Sequence, residues 1–137
     1  RDGCRTPMPW QAAGAHAGFS AGEPWLPIPA IHRDLAADAQ ERDAGSVLQF
    51  ARALIALRKA HPALAAGEIS FREAEDGLLV FERHTSEERI FCVFNLTREM
   101  KSLPAPAGTA LAPLPGSAQI RGGVLRLGPL GAHLTRV

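Results

Sequence analysis

The sequence predicts a mixed fold: a long anchored segment and one helix, followed by an all-β module of the sandwich type. Three observations carry this prediction. Prolines and glycines crowd residues 1–45, apolar residues recur at helical spacing over 46–60, and the period shifts toward two from Leu64 onward.

The first segment contains Pro7, Pro9, Pro24, Pro27 and Pro29 together with Gly3, Gly14, Gly18 and Gly22. Prolines this dense remove backbone donors and fix φ, so neither a helix nor a central strand is expected to run through 1–45. The segment also carries Trp10, Phe19, Trp25, Leu26, Ile28 and Ile31. A disordered linker is polar and poor in aromatics, so a long loop with buried anchors is the expectation, and such loops are usually functional.

Residues 46–60 are predicted as a helix. Ser46 or Asp43 caps its start. Val47, Phe50, Ala51, Leu54 and Leu57 form an apolar stripe, widened by Leu48 and Ile55. Arg58, Lys59 and His61 place positive charge at the C-terminal end, where the helix dipole favours it. Pro62 then ends the helix by disfavouring helical conformation at His61.

Predicted strands follow at Glu68–Glu73, Leu78–His84, Arg89–Leu96, Met100–Leu103, Thr109–Ala112, Val124–Leu127 and Ala132–Arg136. Asp76-Gly77 reads as a tight hairpin turn with φ > 0 available at both positions. Ser86-Glu87-Glu88 reads as the next turn. Ile90–Phe94 is apolar without alternation, as expected for a central strand covered on both faces. Short strands with regular turn signals suit a β-sandwich.

Composition narrows the function. The chain has 137 residues, with 46% hydrophobic and 21% charged, and a formal net charge of +1. That balance gives no electrostatic basis for nucleic acid or an anionic membrane as a partner. No stretch resembles a signal peptide or a spanning helix. Cys4 and Cys92 form no C-x-x-C pair, and two free thiols in a reducing compartment, the cytoplasm, are expected. His16, His32, His61, His84 and His133 show no metal-ligand spacing, so no metal and no cofactor is expected. The start on Arg1-Asp2-Gly3, without Met and inside an irregular segment, suggests a piece of a longer protein.

Arg1-Asp2-Gly3-Cys4-Arg5-Thr6-Pro7-Met8-Pro9-Trp10 resembles the segment after the eighth barrel strand in α-glucosidases and oligo-1,6-glucosidases of glycoside hydrolase family 13. Further matches are collinear. Ala17-Gly18-Phe19-Ser20 and Pro24-Trp25-Leu26-Pro27-Ile28 resemble the family's loop. Gln40, Asp43, Ser46 and the run from Leu54 to Leu64 resemble its last barrel helix. Leu79-Val80-Phe81-x-Arg83 and Val93-x-Asn95-Leu96 resemble strands of its C-terminal domain.

The resemblance implies that residues 1–63 are the end of a (β/α)8 barrel, with an active-site loop at 1–45 and the last barrel helix at 46–60. Residues 64–137 would be a C-terminal antiparallel β-sandwich. Active sites of such barrels lie on the loops that follow the strands. The resemblance also implies a retaining α-glucosidase acting on maltose-type or isomaltose-type oligosaccharides. Retaining enzymes place an Asp nucleophile and a Glu acid/base about 5 Å apart. In the family both precede this region, so no catalytic residue is carried over. Glu73, Glu75 and Asp76, like Glu87 and Glu88, flank predicted turns, where solvated charge is expected.

Arg5 is the residue the resemblance assigns to substrate, its guanidinium offering a fixed fork of donors to sugar hydroxyls. A structural ion pair bracing the loop is the alternative. Arg1 and Asp2 read as loop-bracing, as do Trp10 and Trp25, with stacking on a sugar the alternative for the two indoles. Gln11 departs from the Asp that many relatives carry after the Trp. Asn95-Leu96-Thr97 matches a glycosylation sequon and reads as coincidence.

The expected partners are an α-glucoside oligosaccharide, met through the parent barrel, and the missing N-terminal barrel itself. Two other functions are carried: a stand-alone sugar-binding β module, and a piece of a family transglucosidase of the trehalose synthase or sucrose isomerase type.

Overall fold

The computed structural model describes residues 2–111, 114 and 118–137. The chain divides into two compact units, Arg1–Ala56 and Leu57–Val137, and the division falls inside a helix.

The first unit opens with a 3₁₀ turn at Asp2–Cys4 and a second turn at Ala15–Gly18. Two short helices follow, α1 (Ala30–Asp34) and α2 (Ala37–Arg42). Proline and glycine content predicts irregular structure to residue 45, and the two helices depart from that. Proline forbids helix only as far as Pro29, however, and the stretch beyond is proline-free and rich in alanine, the best helix former.

Helix α3 (Val47–Ala60) matches the expected helix. Its start settles the choice of cap. Ser46 Oγ accepts from the Gln49 amide at 3.3 Å, and the Ser46 carbonyl accepts the first helical bond from Phe50 at 3.0 Å. Asp43 instead closes its own turn by accepting from the Gly45 amide at 2.8 Å. Gln40 adds a second cap, its Oε1 accepting from Leu48 N at 3.1 Å. No residue of α3 is buried, and Val47 and Ile55 lie exposed.

Pro62 ends α3 and also begins α4 (Pro62–Ala66), where it occupies the first turn. This use of proline follows from its missing N–H, which costs nothing at a helix start. Arg58 closes the far end of α4 by donating to the carbonyls of Leu64 and Ala65.

The second unit is mostly sheet. Strands β1 (Glu68–Phe71), β2 (Leu78–His84), β3 (Arg89–Asn95), β8 (Ala132–Arg136) and β5 (Thr109–Ala110) form one antiparallel sheet, in the order β1-β2-β3-β8-β5. Strands β4 (Lys101–Pro104), β7 (Val124–Leu127) and β6 (Ala118–Arg121) form another, in the order β4-β7-β6.

Central strand β3 explains its own unbroken apolar sequence. Ile90 and Cys92 join Ala63 and Leu134 in one cluster, with Leu57, Phe81 and Phe94 packed against it. Val93 joins Val80, Leu125 and Leu127 in a second cluster, to which both sheets contribute. Burial pushes the Cys92 thiol up to about 11 and so keeps it protonated.

Two turn assignments change. Asp76-Gly77 does not close a tight hairpin, because β1 ends at Phe71 in register with Phe81 and a longer connection follows. Only Gly77 takes positive φ there, at 84°. The tight hairpin is instead Gly122-Gly123, with φ of 56° and 76°, joining β7 to a β6 strand absent from the expected set. Positive φ at both central positions is the type I′ pattern whose twist suits flanking strands. Of the strand expected at Thr109–Ala112, Thr109–Ala110 is formed and Ala112 lies outside the described residues.

The sequon at Asn95 has a structural explanation. The Asn95 side chain is 2% exposed, and its Nδ2 donates to the carbonyls of Glu99 at 2.7 Å and Gly128 at 2.8 Å. Its Oδ1 accepts from the Thr97 amide and hydroxyl. The amide nitrogen is therefore fully used in tying the end of β3 to the exit of β7.

Candidate substrate-facing loop

The loop of the first unit is tied to α2 by backbone bonds and to α1 by the Arg33 side chain. Pro9 O accepts from Ala37 N at 2.9 Å, and Trp10 O accepts from Asp38 N at 3.1 Å. Asp38 returns the contact, its Oδ1 accepting from Ala12 N at 2.9 Å. The Ala12 amide and the neighbouring Arg42 guanidinium hold the Asp38 carboxyl below its ordinary value. Arg33 Nη1 donates to Ala12 O and to Gly14 O, each at 3.0 Å.

These clamps enclose a left-handed turn. His16 (φ 46°, ψ 30°), Ala17 (φ 52°, ψ 31°) and Gly18 (φ 68°) follow one another in the αL region. For the two non-glycine residues this costs about 1–2 kcal/mol each. The amides of Trp10 and Gln11 both donate to Ala17 O at 2.9 Å, so the turn is held from inside the loop as well. Ala17 is fully buried beneath it.

A cleft of about 280 Å³ opens beside the turn. His16, Glu23 and Arg33 line it, with apolar walls from Pro24, Leu26 and Ile28. His16 Nδ1 lies 3.4 Å from Glu23 Oε2.

The residues singled out from sequence are placed as follows. Arg5 follows the first 3₁₀ turn, with its amide donating to Asp2 O at 2.9 Å; its side chain is exposed and takes no hydrogen bond or ion pair among the described residues. Asp2 contributes that carbonyl, and Arg1 lies outside the described residues. Trp10 and Trp25 are 53% and 82% exposed, and the hydrogen bonds of Trp10 run through its backbone. Gln11 packs across the loop against Gly14 and Gly18. The bracing side chains are thus Arg33 and Asp38. Both act on backbone atoms 19 to 26 residues away, which leaves no side-chain pattern in the sequence.

In the second unit, Glu88 departs from the solvated charge expected at a turn. Its side chain is only 13% exposed, and Oε1 lies 2.6 Å from His61 Nδ1. Oε2 accepts from Ala63 N at 3.1 Å, at the start of α4. The 85–88 turn folds back onto a helix start whose amides have no partner within the helix, and a carboxylate there gains both bonds and a favourable dipole. Glu82 accepts from Arg72 and Arg89, and Glu75 from Lys101 at 2.9 Å. No group of three His, Cys, Asp or Glu able to hold a metal occurs among the described residues.

Comparison with known proteins gives a consistent assignment. Residues 1–67 match the model of the alpha-amylase catalytic domain. A probable alpha-glucosidase of Rhizobium meliloti is 47% identical over 116 residues, which is 85% of this chain and 21% of that protein. The trehalose-6-phosphate hydrolase of Bacillus subtilis is 32% identical over 69% of this chain and 17% of its own length. Among solved structures, the alpha-glucosyl transfer enzyme XgtA superposes with a TM-score of 0.83 at 40% identity, covering 99% of this chain and 26% of that one. The chain therefore spans about a fifth of the length of the curated relatives it matches. The catalytic-domain match at the front, the identities and the superposition agree, and the chain belongs to the alpha-amylase family, glycoside hydrolase family 13.

Proposed function

We propose that this chain is the C-terminal part of a retaining α-glucosidase that hydrolyses α-glucosidic bonds in maltose-type or isomaltose-type oligosaccharides. In this reading residues 1–63 complete the (β/α)8 barrel, with 1–45 as its last active-site loop and 46–60 as its last helix. Residues 64–137 are the C-terminal β-sandwich. The observation that carries the reading is Arg5: a guanidinium with no partner among the described residues, on a loop held elsewhere by Arg33 and Asp38. A permanently charged fork left open on a braced loop suits sugar hydroxyls, or a carboxylate beside them.

Arg5 binds substrate in this account and breaks no bond. The nucleophile and the acid/base belong to the preceding barrel. The apolar face of α3, with Val47 and Ile55 exposed, is the surface the reading assigns to that barrel as intramolecular partner. Two free thiols support a cytoplasmic setting.

A purified chain supplied with p-nitrophenyl α-glucoside should give no turnover above the blank. Turnover that tracks the chain and is lost on substitution of one of its own carboxylates would overturn the assignment. A second reading, glucosyl transfer in place of hydrolysis, is favoured by the 40% identity to a glucosyl transfer enzyme. The two differ only in whether water or an acceptor sugar resolves the glycosyl-enzyme intermediate.

A further inference from the structure

The cleft beside the left-handed turn has no role in the account so far, although its residues are costly to place. Strain of this kind persists only where surrounding structure over-determines it, and it gathers at ligand-binding positions. Here Arg33, Trp10 and Gln11 supply the restraint, and the turn sets His16 at the cleft wall.

The lining has the two-sided chemistry of a sugar. Pro24, Leu26 and Ile28 offer an apolar wall for the C–H face of a pyranose ring. Against it stand an imidazole, a carboxylate and a guanidinium. Arg33 spends only Nη1 on the loop carbonyls, and its Nε and Nη2 take no partner among the described residues. Glu23 is 85% exposed at its side chain and free to accept from a hydroxyl. The volume, about 280 Å³, lies just below the usual range for a drug-sized ligand and suits one ring.

Charge chooses among sugars. One guanidinium faces one carboxylate, and that carboxylate lies 3.4 Å from the single imidazole. A phosphate entering this cleft would meet Glu23 at close range, and Arg33 already gives two of its donors to backbone carbonyls. Neutral hydroxyls, which both donate and accept, match the lining without an unpaired charge.

We propose that the cleft formed by His16, Glu23 and Arg33 is a subsite for the hydroxyl groups of an uncharged hexose unit, and that it discriminates against a phosphorylated one. This rests on reading the chain as part of an α-glucosidase, and it separates this chain from the relative that is a trehalose-6-phosphate hydrolase.

The test is an NMR titration of the isotope-labelled 137-residue chain with methyl α-glucoside and, separately, with glucose 6-phosphate. Saturable shifts centred on His16, Glu23 and Arg33 are expected with methyl α-glucoside in the millimolar range, with affinity for the phosphate weaker by about tenfold or more. His16→Gly keeps the turn, since glycine adopts positive φ freely, and should preserve the spectrum of residues 9–18 while weakening binding by about tenfold. Glu23→Gln should narrow the preference against the phosphate. Absence of saturable shifts, equal or tighter phosphate binding, or unchanged affinity in His16→Gly would each overturn the subsite. None of these outcomes bears on whether the chain by itself turns over an α-glucoside, so the two readings fail separately.

Discussion

Glu88 shows how one carboxylate can serve three elements. It sits at the close of the β2–β3 turn, bonds the His61 ring between α3 and α4, and accepts the Ala63 amide at the start of α4. Burial pushes its carboxyl up, but the bonds from His61 and Ala63 and the nearby charge of Arg136 together hold it below the ordinary 4.5. A depressed carboxyl contributes stability that is present above its unfolded value and lost as pH falls through the folded one. Glu88→Gln should therefore destabilise the chain by about 1–3 kcal/mol near neutrality. The gap from wild type should shrink as pH drops below 4.5. Urea midpoints over a pH series check this, and a gap independent of pH contradicts it. In the sequence Glu88 reads as ordinary turn charge, because its partners are 25 and 27 residues away.

At the scale of elements, legibility followed locality. β2, β7 and β8 have the predicted bounds, and β3 falls one residue short, because period and apolar content are written within each strand. β6 was missed because its residues are exposed and give no alternating signal. The pair that makes it, Gly122-Gly123, takes positive φ at both central positions of the turn. A Cβ at Gly123 would meet nothing within 4 Å, so any penalty there is one of backbone conformation alone. Gly123→Ala should cost about 1–2 kcal/mol in chemical denaturation, with Gly123→Asn costing less, since asparagine tolerates φ > 0. Equal stability of the alanine variant and wild type would remove the turn from the account. The helices α1 and α2 show the opposite limit: proline excludes helix only as far as Pro29, and both helices lie beyond it.

At the scale of the molecule, the two units differ in what holds them. Both buried clusters lie in Leu57–Val137. Among the described residues of the first unit the buried apolar ones are small, Pro7, Ala17 and Ala36, and its order comes from hydrogen bonds among loop, α1 and α2. A loop held this way keeps Arg5, Trp10 and Trp25 at the surface. Motif resemblance alone pointed to Arg5, whereas His16, Glu23, Arg33 and Asp38 emerge only when backbone clamps and a strained turn are seen in three dimensions.

The proposed function assigns to this chain the substrate-side loop and the β domain of an α-glucosidase, with the bond-breaking carboxylates in the preceding barrel. Grafting it in place of the matched 116 residues of the Rhizobium meliloti relative tests this most directly. The graft should hydrolyse maltose or isomaltose. Arg5→Ala should lower its kcat/KM by about 10²-fold or more, as removal of a positioning group does. A folded graft without turnover, or one indifferent to Arg5→Ala, would contradict the proposed function.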